Sequence, residues 1–135
     1  MWPFTRKKRT VLVPAIRCNG VVVLWNTAFE HWEFSIDGVN YTRRDNPVFD
    51  TEIMSQLHLP MKWIAELDAR IEAEIKEHLE GWCDWTGKKE LLSIDVSWLI
   101  AKREIDVEYF HDDWGDLGIN IVITNGKFTS SYAGD

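Results

Sequence analysis

The sequence predicts an α+β domain in which antiparallel β-meanders pack against one long amphipathic helix. Two observations support this class. Short runs with alternating apolar and polar residues occur on both sides of a central segment, and Asn-Gly or Asp-Gly dipeptides separate several of them. The central segment has apolar residues at steps of three or four, which is the spacing of one helix face. The chain should therefore fold as a sheet covered by a helix.

The first half of the chain contains the first group of strands. Asn19-Gly20 and Asp37-Gly38 each separate two apolar runs, and such dipeptides favour tight hairpin turns. The alternation within HWEFSID predicts a strand with one buried face. The four predicted strands are residues 10–16, 21–25, 31–37 and 39–44.

The longest helix is predicted for residues 61–80. Asp50 is placed to cap a short helix that runs to about Leu57, and Pro60 then opens the long helix. Gly81 is placed to end it. A single apolar stripe should face the sheet, and it consists of Ile64, Leu67, Ile71, Ile75, Leu79 and Trp82.

The second group of strands follows the helix. Asn125-Gly126 lies between the last two runs and predicts a hairpin. Alternating apolar residues in all four runs predict an antiparallel meander with one face under the helix. These strands are predicted at residues 91–98, 104–110, 118–124 and 127–132.

Charge is distributed unevenly along the chain. Residues 1–9 contain four consecutive basic residues and no acidic residue, and we predict that they form a flexible basic tail before a single globular domain at 10–135. Without these four, 11 basic residues stand against 22 acidic ones, a net charge of −11. This balance argues against nucleic-acid binding and suits a basic protein partner. No apolar run is long enough to span a membrane, so we predict a cytoplasmic protein.

The candidate binding site is the acidic segment 104–116. It contains six acidic residues, and no Lys or Arg occurs between Arg103 and Lys127. Trp114 lies in the middle of the HDDWGD loop, where an exposed aromatic side chain within an acidic rim would anchor a partner. The predicted partner-binding residues are Asp106, Glu108, Asp112, Asp113, Trp114 and Asp116.

Other interpretations of HDDWGD remain open. Asp and Gly are turn formers, so the loop also fits a simple turn between two strands. Its aspartates lack the spacing of a calcium loop, and His111 with Asp113 supplies only two ligands for a transition metal. We therefore predict no metal, no cofactor and no catalytic residue. One alternative is a small enzyme or metal-dependent hydrolase that uses the His111–Asp116 loop, with Asp112 or Asp113 as base or metal ligand. Another is a subunit whose Trp-rich surface forms a homo-oligomer or a larger assembly.

The C-terminal segment WGDLGINIVITNGKFTSSYAGD also bears on function. It resembles the C-terminal meander of small bacterial protein families that include toxin-immunity proteins. The resemblance implies an acidic cytoplasmic α+β protein without catalytic residues, and it assigns no individual site residue. The leading hypothesis is therefore a non-catalytic acidic binding protein, an immunity protein that neutralises a basic toxin domain.

Overall fold

The computed structural model describes residues 16–44 and 48–134. The fold is α+β, with one eight-stranded sheet and several short helices. The strands are β1 (Ile16–Cys18), β2 (Val21–Asn26), β3 (His31–Ile36), β4 (Val39–Arg43), β5 (Glu90–Asp95), β6 (Glu104–Phe110), β7 (Gly118–Thr124) and β8 (Lys127–Gly134). The helices are α1 (His58–Glu66), α2 (Asp68–Leu79) and α3 (Leu99–Lys102), with 3₁₀ helices at Thr51–Gln56 and Asp112–Trp114. The predicted basic tail and all but the last residue of the predicted strand 10–16 lie outside the described residues.

The order of the strands in the sheet is their order in the sequence. Every neighbouring pair is antiparallel except β4 and β5, which pair in parallel through Tyr41 with Ile94 and Thr42 with Asp95. The predicted wholly antiparallel sheet is therefore wrong, and the sheet is mixed. The reason is the helical segment between β4 and β5, which returns the chain to the end of the sheet from which β4 starts.

The three hairpins predicted from dipeptides are confirmed. In each of them the two loop residues both have positive φ, which a type I′ turn requires and which Asn, Asp and Gly tolerate best. The φ values are 51° and 81° for Asn19-Gly20, 51° and 79° for Asp37-Gly38, and 53° and 78° for Asn125-Gly126.

The core lies between the helices and one face of the sheet. In the described part of the chain, α2 contacts β7 and β8, and α3 contacts β6. Ile71 and Ile75 of the predicted helical stripe are fully buried, as expected. Alternate residues of the strands complete the core, and among them are Trp32, Phe34, Ile94, Ile105, Val107, Tyr109, Ile119, Ile121 and Ile123.

The predicted single helix 61–80 is wrong, because α1 and α2 are separated by a bend at Leu67 (φ −103°, ψ 11°). On one continuous helical wheel, the buried residues of α1 would centre about 90° away from those of α2. A straight helix could not turn both sets towards one sheet. The bend lets each helix bury its own side chains, which are Leu59, Pro60, Trp63 and Ile64 in α1 and Ile71, Ile75 and Leu79 in α2.

The predicted strand 91–98 is too long at its C-terminal end. Asp95 Oδ1 accepts hydrogen bonds from the backbone N–H (2.9 Å) and the hydroxyl (2.6 Å) of Ser97, and this local turn ends β5. The register also shifts between Leu91 and Ser93. Uninterrupted alternation over residues 91–98 predicts that Leu92 and Trp98 share the buried face of Ile94 and Val96. Because of the turn and the register shift, Leu92 is 41% exposed and Trp98 is 52% exposed.

Candidate binding surface

Acidic side chains converge on the face of the sheet opposite the helices. Strand register pairs Glu33 with Thr42, Thr42 with Asp95, and Asp95 with Asp106, so three carboxylates share one row across four strands. Glu108 lies two residues further along β6, opposite Ser93. We call this surface the acidic face, and its carboxylates are Glu33, Asp95, Glu104, Asp106 and Glu108, with Asp116 at the rim.

Basic side chains on the acidic face lie at its edges. The described strands contribute Arg17 of β1, which pairs with Val22, and Lys127 of β8, which pairs with Thr124. Both strands are the outermost ones of the sheet as described. Arg43 belongs to the opposite, buried face, because it pairs with Trp32. Arg44 follows β4, and its guanidinium donates a 3.0 Å hydrogen bond to the carbonyl of Phe29, whose ring stacks on His31 beside Glu33. The carboxylates of the acidic face still outnumber these described cations, so the face has an excess of negative charge.

Asp106 is held in a fixed orientation by the two neighbouring strands. The amide of Asn120 on β7 donates a 2.8 Å hydrogen bond to Asp106 Oδ1, and the hydroxyl of Tyr132 on β8 donates a 2.5 Å bond to Oδ2. Burial and this hydrogen bond raise the pKa of Tyr132. The hydroxyl therefore keeps its proton and remains a donor to the carboxylate.

Glu108 is a half-buried carboxylate beside Asp106. Burial raises its pKa first and the charge of Asp106 raises it second, while a hydrogen bond from Ser93 lowers it. Gly118 leaves room for the side chain, because a Cβ at that position would lie 3.2 Å from Glu108 Oε2. A cation next to Glu108 would stabilise its charged form.

Two grooves open on the acidic face. The Glu33 groove has a volume of about 770 Å³ and is lined by Val22, Leu24, His31, Glu33, Asn40 and Leu92, among others. The Glu108 groove has a volume of about 390 Å³ and includes Glu108, Phe110, Asp116, Leu117, Tyr132 and Leu92. Leu92, which the irregularity in β5 exposes, lines both grooves and lies between them.

Glu33 is oriented by two polar neighbours. Its Oε2 accepts a 3.2 Å hydrogen bond from the Asn26 amide and lies 2.9 Å from His31 Nε2. Asn26 Oδ1 in turn accepts from the backbone N–H groups of Ala28 and Phe29, which orders the loop after β2. Both contacts of Glu33 reach Oε2, so among the described residues Oε1 is the oxygen available to a ligand.

The expectation that Trp114 is an exposed anchor is wrong. Its side chain is 1% exposed, because the 3₁₀ turn Asp112–Trp114 directs the indole into the core. His111 caps this turn, with Nδ1 accepting a 3.0 Å hydrogen bond from the Asp113 N–H. The exposed tryptophan beside the turn is Trp82, whose indole N–H donates a 2.7 Å hydrogen bond to the Trp114 carbonyl.

The structure divides the remaining predicted site residues into two groups. Asp106, Glu108 and Asp116 belong to the acidic face, and the last two line the same groove. Asp112 and Asp113 are exposed on the turn, where Asp113 accepts a 3.0 Å hydrogen bond from Thr86 in the segment after α2. Glu33 and Asp95 also belong to the acidic face, although neither is among the predicted binding residues. The alternating pattern of HWEFSID places Glu33 on the polar side of its strand. Which acidic side chains lie next to Glu33 depends on the order of the strands in the sheet, and that order is not part of the pattern.

Glu74, His78 and Ser131 form a further polar cluster, which lies between α2 and β8. Within residues 16–44 and 48–134, no group of three or more His, Cys, Asp or Glu side chains is arranged to hold a metal ion. Ser131 donates a 2.8 Å hydrogen bond to Glu74, so the 2.8 Å contact between Ser131 and His78 Nε2 has the histidine as donor. A serine nucleophile needs the opposite arrangement, in which the histidine accepts the hydroxyl proton. The hydrogen bonds among these three residues instead connect α2 to β8.

No described helix has the length and apolar character needed to cross a membrane. Comparisons with protein-family models, with curated proteins and with solved structures find no match to this chain.

Proposed function

We propose that this chain is a non-catalytic binding protein whose acidic face holds a basic surface of a protein partner. The observation that carries the proposal is the row of carboxylates Glu33, Asp95 and Asp106, with Glu108 beside it, on a sheet face that the described helices leave open. Opposite charge on a partner would steer association towards this face and would add contacts once the complex forms.

The like charges within the face support this proposal. Asp95 and Asp106 are direct cross-strand neighbours, and like charges at such positions destabilise a sheet. Half-burial of Glu108 adds a further cost to its charged form. Lys or Arg side chains of a partner would remove both costs. Binding a basic partner would therefore stabilise this region of the sheet.

Apolar side chains within and around the face provide the contacts that an interface core needs. Tyr132 is 50% exposed, Leu92 is 41% exposed and Val22 is 39% exposed. Exposed aromatic and aliphatic groups surrounded by charge are typical of binding hot spots with a polar rim. The face thus offers apolar contact area to a partner, and its negative charge favours partners with a basic surface.

A toxin domain is the partner that we propose from the resemblance of the C-terminal segment to immunity-protein families. In that case the chain would neutralise a basic toxin domain in the cytoplasm. The identity of the partner as a toxin depends on this resemblance, whereas its basic character depends on the acidic face.

The test compares partner capture by three variants of equal net charge. Asp106→Asn with Glu108→Gln removes two charges from the acidic face with little change in shape, and Asp112→Asn with Asp113→Asn removes two charges from the turn. Glu77→Gln with Glu80→Gln, at exposed positions at the end of α2, is the matched control. We expect a basic partner from the native host that binds the control and loses affinity for the acidic-face variant.

The same comparison separates the acidic face from the turn. Association with the wild type should slow as salt is added, because steering is screened over about 8–10 Å at physiological ionic strength. A partner that binds all three variants with equal rate and affinity would show that the acidic face is not the interface. Loss of binding in the turn variant alone would place the interface at Asp112 and Asp113.

A further inference from the structure

We propose that the two grooves bind one extended segment of the basic partner, with a cationic side chain in each groove and an apolar residue between them. This inference rests on the proposed function and specifies the chemistry of the partner. The segment would carry the pattern cation–x–apolar–x–cation, in which the first, third and fifth side chains face the sheet.

The spacing follows from the strand register. Three inter-strand steps separate Glu33 from Asp106, which is about 14 Å at the usual strand spacing. Glu108 is two residues further along β6, so Glu33 and Glu108 are about 16 Å apart. In an extended chain, residues i and i+4 are about 13–14 Å apart and point to the same side. The separation of Glu33 and Glu108 exceeds that of ligand residues i and i+4 by only a small distance, which Lys and Arg side chains can span.

Each groove suits a long cationic side chain. In the Glu33 groove, Val22 and Leu24 provide apolar walls for the methylene stem, and Glu33 Oε1 is available to the charged group. In the Glu108 groove, Phe110 and Tyr132 provide aromatic walls on which a guanidinium group can stack.

The middle position of the pattern comes from Leu92. This side chain is 41% exposed and lines both grooves. The middle residue of the bound segment would lie between the grooves and would therefore contact Leu92. A ligand leucine at that position would bury apolar area against Leu92. A single metal ion or a small dication would leave this central contact unused.

The test uses synthetic peptides with capped ends and the sequence pattern Arg-x-Leu-x-Arg, where x is a small polar residue. Two isomers of identical composition are the comparison, one with adjacent arginines and one with arginines at i and i+3. We expect the i, i+4 peptide to bind the wild-type chain about tenfold more tightly than either isomer, measured by calorimetry at low salt.

Variants locate the two contacts. Glu33→Gln and Glu108→Gln should each remove most of the preference for the i, i+4 peptide, and Leu92→Ser should reduce the contribution of the central leucine. Glu77→Gln should bind like the wild type. If all three peptides bind alike, or none binds, the proposed segment is wrong. A whole partner that still depends on Asp106 and Glu108 would in that case leave the proposed function standing.

Discussion

The indole N–H of Trp82 donates a 2.7 Å hydrogen bond to the backbone carbonyl of Trp114. The two tryptophans have opposite environments, because Trp82 is 57% exposed and Trp114 is 1% exposed. The bond joins the end of the helical layer to the HDDWGD turn. An exposed aromatic side chain therefore does lie beside this acidic turn, but it comes from a distant part of the chain.

Trp114→Ala should be a stability mutation and not a binding mutation. Removal of a fully buried indole should lower the free energy of unfolding by about 3–5 kcal/mol, because the surrounding core cannot close the cavity. Chemical denaturation measures this change, with Trp114→Phe as a control of smaller effect. A loss below about 1 kcal/mol would contradict the buried position.

Trp82→Phe should remove one hydrogen bond and keep an aromatic ring. We expect the free energy of unfolding to fall by about 0.5–1.5 kcal/mol, which is the usual net value of one hydrogen bond. Trp98→Phe is the matched control, because Trp98 is 52% exposed and its indole N–H has no hydrogen-bond partner among the described residues. Equal effects of the two substitutions would show that the Trp82 bond contributes nothing.

Glu108→Gln should stabilise the protein in a pH-dependent manner. Burial and the charge of Asp106 raise the pKa of Glu108, so its ionised form costs stability above the folded-state pKa. That cost disappears as the pH falls below the unfolded-state value of about 4.3. We expect Glu108→Gln to unfold at a higher temperature than the wild type near neutral pH, and the difference to vanish near about pH 4.

A pH series of thermal unfolding on both proteins checks this prediction. Glu77→Gln, at an exposed position on α2, should show no comparable pH-dependent gain. A gain for Glu108→Gln that persists undiminished at the acidic end, or that is absent near neutral pH, would contradict the assignment.

Tyr109→Phe should not destabilise the fold. The Tyr109 hydroxyl is buried and has no hydrogen-bond partner among the described residues, so its removal ends a desolvation cost. We expect the free energy of unfolding to stay the same or rise by about 1 kcal/mol. Tyr132→Phe is the contrasting variant, because it removes the bond to Asp106 and should lower stability. A clear loss in Tyr109→Phe would indicate a partner for its hydroxyl.

Local patterns in the sequence predicted the strands well. Residues 104–110 and 118–124 form strands at the predicted boundaries, and the turn dipeptides lie at both positive-φ positions of their hairpins. Asp50 also caps a short helix as predicted, since its carboxylate accepts from the Glu52 N–H, although that helix is 3₁₀. These features depend on neighbours in the chain, which a sequence pattern records directly.

Features that depend on distant parts of the chain could not be predicted in the same way. The bend at Leu67 arises because the apolar stripes of α1 and α2 must both face one sheet. The sequence pattern does not reveal this bend, because the spacing of the apolar residues across Leu67 is also that of one continuous helix. The burial of Trp114 depends on the core residues around it, and these come from other parts of the chain. Asp95 and Asp106 become neighbours only because β5 pairs with β6. Two carboxylates of the acidic face, Glu33 and Asp95, therefore lie outside the segment 104–116 that the sequence predicted.

The strand order has a consequence for how the chain folds. Most neighbouring strands are close in sequence and can pair early, since short loops close at little entropic cost. The parallel pair β4–β5 joins segments about fifty residues apart, so we expect the two meanders to form first and this seam to close last. Until then each meander has an unpaired strand edge, which is where intermolecular misassembly would begin. Pulsed hydrogen exchange during refolding should accordingly protect the amides of β6 and β7 before the Val96 amide, which donates to Thr42 across the seam.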